Sequence, residues 1–353
     1  MSGQPAGLRQ VDYRMSTGFA PLLDQVQASV LITTYESGHL AVVGTHGGQA
    51  HVSLHRFEHA MGMALNADRL AIGTRNQIWQ LHHVREMASR LEPTGRYDDC
   101  WLARHSHFTG QIDGHELAWV GNELWGVNTL FSCIYSVVDE VNFAPRWQPP
   151  FITVLAAEDR CHLNGITVID GKPRYVSCLG RSDTAEGWRP NKLTGGSVLE
   201  IPSGNLVATG LCLPHSPRWY DNRLWILNSG RGEFGTIDLQ TGTFQAVEQL
   251  PGYARGLAFY GPLAFVGLSK VREHSTFGGL PLTQRGEPLR CGVAVVDLRS
   301  GKSIAYFEFV SGVDEVFDVQ VLPQTRNPYI AGPHPTEDGQ SAVWIIAPKR
   351  EWS

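Results

Sequence analysis

The chain has 353 residues, 42% of them hydrophobic and only 18% charged: enough apolar material for a packed core, and too little charge for extensive disorder. Its formal net charge of −5, without any Lys/Arg run, leaves no electrostatic footprint for nucleic acid, and no apolar stretch approaches the length of a membrane span. The six cysteines are scattered with no close pair, so the expectation is a cytoplasmic protein with reduced thiols and neither nucleic acid nor membrane as partner.

Residues 1–27 read as an N-terminal extension, without the apolar core of a secretory signal. Beyond them the chain breaks into short apolar runs bounded by Gly, Asn, Asp or Pro, the mark of strands and tight turns. Residues 30–35, 40–44 and 52–57 form a first group. A second starts at His59 (HAMGMALNADRLAIG) and runs through 70–73 and 77–81, followed at 84–91 by the one segment with a helical pattern. The stretch 92–113, which holds His105 and His107, interrupts the rhythm. Then HELAWVGNELWGVN (115–128) and HSPRWYDNRLWILN (215–228) superimpose without a gap. His115/His215, Trp119/Trp219, Trp125/Trp225 and Asn128/Asn228 coincide. A looser copy starts at His162 (HLNGITVIDGKPRYVS). Each copy has a small or polar residue three after the histidine and a large apolar residue four after it.

A fifth copy (YARGLAFYGPLAFVGLS) puts Tyr253 at the histidine position and is interrupted by a polar insertion, 270–290, that suits either a lid at the channel mouth or a surface loop without function. A sixth (EVFDVQVLPQTRNPYIAG) puts Glu315 or Phe317 there. Residues 342–347 are expected to close the ring with the N-terminal group, leaving 349–353 as a tail. Repeats at roughly fifty-residue spacing predict radial architecture. The expected fold is all-β: a single β-propeller over 28–348, with antiparallel four-stranded blades around a central channel. Six blade starts are visible. The N-terminal group either completes the sixth or supplies a seventh, and seven is the favoured count.

In a propeller, equivalent positions of the inner strands converge on the channel. His59, His115, His162 and His215 are therefore expected to face one region, joined by Tyr253 and by Glu315. Neutral imidazole is a common ligand for zinc, copper and iron, and three such ligands leave a position open for water or substrate. Asp113 and Glu116 flank His115 and are expected to orient imidazoles; Arg255, two residues beyond Tyr253, suits an anion clamp. Asn164 and Asp318 are further polar candidates, while Cys161 and the four tryptophans read as packing. The competing structural role for the histidines is to hydrogen-bond the neighbouring blade's backbone.

Ile32-Thr33-Thr34-Tyr35, Ile78-Trp79, Glu158-Asp159-Arg160-Cys161-His162-Leu163-Asn164-Gly165, Pro214-His215-Ser216-Pro217-Arg218-Trp219-Tyr220 and Phe317-Asp318-Val319-Gln320-Val321 make the span from about residue 30 to 348 resemble an uncharacterised bacterial family of propellers, a domain of unknown function. The resemblance implies the fold and no activity. In that family the position of His59 is more often arginine, which moves the expected ligand role to the other three histidines.

The reading favoured by the sequence is a metal-dependent enzyme acting on a small polar molecule in the channel. His115, His162, His215 and His59 are the candidate ligands, and iron or copper is preferred to zinc. Tyr253, Arg255 and Asp113 are the candidate catalytic residues, with Tyr253 or Asp113 handling protons. The alternatives are a zinc-dependent lyase or hydrolase at the same site, metal-free acid–base catalysis by the same histidines, and a non-catalytic interaction scaffold.

Overall fold

Apolar runs punctuated by glycine and asparagine fold as strands throughout, and in this computed structural model, which describes residues 10–271 and 278–346, they assemble into six sheets. The innermost strands are Met63–Leu65, Gly114–Val120, Leu163–Ile169, Pro214–Tyr220, Tyr253–Tyr260 and Asp318–Pro323, and they define blades 1 to 6 in that order. Each inner strand packs against the next, and the last packs against the first, closing a six-bladed propeller.

The blade count corrects the preference for seven. Asp318–Pro323 pairs antiparallel with Ala28–Thr34, which continues outward through His39–His46 and Gln49–Arg56. The N-terminal group has three strands and no inner strand of its own, so it completes blade 6 around a strand from near the C-terminus. That pairing ties the two ends of the ring together. Residues 342–346 carry no strand and take no part in closure; Ala347 and the expected tail lie outside the described residues. Two further strands extend existing blades: Asp12–Met15 adds to blade 5 beside Lys302–Ser311, and Pro328–Ala331 adds in parallel to blade 1 beside Asp99–Phe108.

The segment at 84–91 contains only a 3-10 helix, Arg85–Arg90. An α-helix not expected from the sequence spans Phe19–Val26. Phe19, Leu22, Leu23 and Val26 follow the i, i+3, i+4, i+7 spacing of one helix face, but the segment is too short for that pattern to stand out. Phe19 and Leu23 are buried in the apolar layer between blades 5 and 6.

Each pair of neighbouring blades shares such a layer. Val127 and Ile134 of blade 2 meet Leu163, Ile166 and Val176 of blade 3; Leu227 and Phe234 of blade 4 meet Leu257 and Val266 of blade 5. The four tryptophans pack into these layers, as expected. The small residue three after the repeat start also has a packing cause. A Cβ on Gly62 would lie 2.1 Å from the His115 carbonyl oxygen, one on Gly165 2.2 Å from Pro217 Cδ, and one on Gly256 2.6 Å from the Val319 nitrogen. In blades 1, 3 and 5 a neighbouring inner strand thus approaches too closely at that position for any side chain, whereas blades 2 and 4 carry Ala118 and Arg218 there.

Candidate active site at the channel mouth

A backbone feature shared by the two matching repeats sets the imidazoles. Asp113 and Leu213, each two residues before its histidine, adopt the left-handed region (φ 50° and 51°), a conformation that costs a non-glycine residue of order 1 kcal/mol. Their carbonyls then accept from the rings: His115 Nδ1 lies 3.0 Å from the Asp113 oxygen, and His215 Nδ1 lies 2.9 Å from the Leu213 oxygen. A hydroxyl fourteen residues on completes each pair, Thr129 Oγ1 at 2.7 Å and Ser229 Oγ at 3.1 Å. His162 is held differently, its Nδ1 2.8 Å from Asp159 Oδ2, which also accepts from Trp188 Nε1 at 3.0 Å.

Carbonyls and carboxylates only accept, so Nδ1 carries a proton in all three rings, and in the neutral form of each ring Nε2 carries the lone pair. No Nε2 of the three has a hydrogen-bond partner among the described residues. Burial, reinforced by the Arg255 charge, holds His115 and His215 well below the usual histidine pKa, so both are neutral.

Ring centroids of His115 and His162 are 4.9 Å apart and those of His115 and His215 are 6.4 Å apart. Two imidazoles on one ion at about 2.1 Å have centroids on the order of 5 Å apart; the first pair has that spacing and the second is wider. Among the described residues, no three His, Cys, Asp or Glu side chains stand close enough together to hold a metal.

His115 and His162 line a cavity of about 670 Å³ at the mouth of the channel, together with Tyr35, Asp113, Asp159, Tyr253, Arg255, Glu315 and Phe317. His215 is buried beside it, its ring 5.7 Å from that of Tyr253. Arg255 lies over the Phe317 ring at 3.4 Å and donates to Glu315 at 3.2 Å. Burial pushes the Tyr253 phenol up, so it stays protonated. Burial and the neighbouring Asp159 carboxylate raise the pKa of Asp113.

The structure does not bring every candidate to this place. His59 does not line the cavity; its Nε2 is taken up by the Arg75 guanidinium, and its ring meets Tyr35 edge-on at 4.9 Å. His105 and His107 lie on the outer strand Asp99–Phe108. Glu116 orients no imidazole. It accepts from the Ile166 nitrogen at 2.9 Å and pairs with Arg218 at 2.9 Å, below the histidine layer.

Asp318 and Asn164 likewise tie blades together. Asp318 accepts from the Met63 nitrogen, Asn164 donates to the Pro214 carbonyl, and Ser216 accepts from the Gly256 nitrogen. Latching between blades is thus done by these residues and not by His115, His162 or His215; His107 does latch, its Nε2 2.9 Å from the Asn142 carbonyl of blade 2.

Some contributors were not read from the sequence. Thr129 and Ser229 each follow the closing asparagine of the matching repeats, so extending that alignment by one residue finds them. Asp159 sits three before His162. Nothing local marks Tyr35 or the segment 179–195 as cavity wall. Through Trp188 and Leu179, that segment packs with Leu213, Tyr253, Leu280 and Leu282, so it and the described residues of the insertion, 270–271 and 278–290, pack together.

The model of a domain family described as "Domain of unknown function (DUF4915)" matches residues 17–331. No curated protein matches the chain as a relative. Two of the solved structures with a similar fold illustrate the likeness. One is a chain of a nidogen/laminin complex (11% identity, TM-score 0.53, covering 84% of this chain and 99% of that one). The other is a protein of unknown function from Bacteroides caccae (10% identity, TM-score 0.52, covering 84% and 98%). At such identities the likeness extends to the fold alone.

Proposed function

The chain belongs to this family of unknown function, a membership that carries no activity, and from the site itself we propose a histidine-centred enzyme acting on a small polar molecule at the channel mouth. One observation carries the reading: imidazoles from three consecutive blades have Nδ1 tied to an acceptor and Nε2 left without a protein partner. Neutral rings so oriented suit a transition metal, and His115, His162 and His215 are the residues that would hold it. His59, with its Nε2 taken up by Arg75, is left out of the ligand set. A three-ligand centre requires the His215 ring to advance toward His115. Iron or copper is favoured over zinc, because all-imidazole centres often serve oxygen chemistry. The ion, when bound, supplies Lewis-acid or redox chemistry.

The other residues have roles of their own. The Arg255 guanidinium, fixed by Glu315 and Phe317, holds an anionic group of the substrate. The Tyr253 phenol donates a hydrogen bond, and the Asp113 carboxylate moves protons at the cavity edge. Elemental analysis of the purified protein beside a His115/His162/His215 triple alanine variant, both checked for folding, tests the reading. Stoichiometric iron or copper in the native protein, lost in the variant, supports it. Stoichiometric zinc without oxygen dependence selects a lyase or hydrolase.

Absence of metal from both proteins, even after reconstitution, ends the metal reading. It leaves acid–base catalysis by the same histidines or an interaction scaffold, a role in keeping with a fold neighbour that comes from a complex of two proteins. Substituting the histidines would leave a scaffold's partner binding unchanged.

A further inference from the structure

The charges lining the cavity are largely cancelled in pairs. Glu186 pairs with Arg189 at 2.8 Å, Asp314 with Lys270 at 3.0 Å, Glu315 with Arg255 at 3.2 Å, and Glu158 with Arg160 at 2.9 Å. Asp113 and Asp159 stand apart from this arrangement. They are near neighbours, both line the cavity, and neither has an arginine or lysine partner among the described residues. Asp159 Oδ1 is buried with no hydrogen-bond partner. Both residues are held in the left-handed backbone region (φ 50° and 46°).

Arg255 presents the opposite chemistry within the same cavity. Only its Nη1 is committed, to Glu315; Nε and Nη2 make no hydrogen bond among the described residues. Phe317 beneath the guanidinium fixes its plane at 3.4 Å, as in planar recognition of a carboxylate. Asp113, Asp159 and Arg255 line the same cavity, so the anionic and cationic ends face one space. A ligand with a single charge sign leaves one end unmatched.

We propose that the cavity's ligand is a small amino-carboxylate zwitterion, with its carboxylate on Arg255 and its ammonium between Asp113 and Asp159. This rests on the reading of the cavity as the ligand site, but not on the presence of a metal. Two opposite anchors at a set separation select a chain length as well as a charge pattern.

The test is calorimetric titration with linear ω-amino acids from glycine to 6-aminohexanoate, each beside the n-alkylamine and n-alkanoate of the same length. One length is expected to bind at least tenfold more tightly than either singly charged analogue. Arg255→Met reduces that amino acid to the affinity of its amine, and Asp113→Asn reduces it to that of its alkanoate. Singly charged compounds binding as tightly as the amino acid, or no binding across the series, overturns the proposal. The native series decides even if a variant fails to fold. Metal content measured in the same samples separates the two readings: metal without zwitterion binding removes only this inference, and zwitterion binding without metal removes only the metal centre.

Discussion

The repeats at 115–128 and 215–228 match in sequence, yet they do opposite things at two depths of the channel. At the mouth they are duplicates: His115 and His215 have the same carbonyl acceptor two residues back and the same hydroxyl fourteen residues on. One level deeper they are complements. Glu116 follows the first histidine, Arg218 lies three beyond the second, and the two are ion-paired at 2.9 Å with Asp318 3.9 Å away. Positions that remain identical in a repeat ring converge as a site. Positions that diverge meet as a strut between blades beneath it. The upper layer leaves its lone pairs unpartnered, and the lower layer satisfies its charges.

Removing the lower layer should have the largest effect on stability. Arg218→Met leaves Glu116 and Asp318 buried without their cation, and a loss of about 3–5 kcal/mol is expected. Chemical denaturation reads it, and a loss below about 1 kcal/mol means the pair is not a structural strut. Gly165→Ala, which forces a Cβ to within 2.2 Å of Pro217, should cost about 1–3 kcal/mol by the same measurement.

The upper layer should respond in the reverse sense. His115→Ala and His215→Ala are expected to cost only about 1 kcal/mol each, yet to abolish retained metal; unchanged metal content in either variant removes that histidine from the ligand set. Thr129→Val and Ser229→Ala should cost about 0.5–1.5 kcal/mol and weaken metal retention by about 10–100-fold. Thr129 should show the greater effect, because its hydroxyl also donates to the Leu163 carbonyl at 2.6 Å.

The lower layer should also show itself as a pH slope. Burial raises the Asp318 pKa to about 7, against about 3.9 unfolded. The folded chain therefore keeps a proton that the unfolded chain has released. The stability from this group is complete below about pH 4 and is lost as pH rises through about 7. Denaturation midpoints across that window should show the decline in the native chain and a flatter profile in Asp318→Asn; parallel profiles would assign the slope to other groups.

Strand periodicity and the doubled histidine segment were enough to read a propeller and to single out His115, His162, His215, Tyr253 and Arg255 as neighbours. Both are local or repeated signals, and repetition converts sequence phase into angular position around an axis. The same logic placed His59 in the ring by phase alone and could not detect that Arg75, sixteen residues on, takes its nitrogen. It also assigned Glu116 to the imidazoles, although its partner Arg218 lies 102 residues away.

The blade count needed the pairing of Asp318–Pro323 with Ala28–Thr34. A strand's own pattern states that it needs an edge, but not which edge it will find. The sequence by itself therefore determined the fold class, the repeat phase and the placing of His115, His162, His215, Tyr253 and Arg255 near one another, because each is written in spacings of a few residues or in a copy of itself. Only the tertiary structure decided ring closure, the protonated nitrogen of each imidazole and the partner of each charge. Those depend on which distant acceptor comes within hydrogen-bonding distance, and that is set by packing six sheets around one axis.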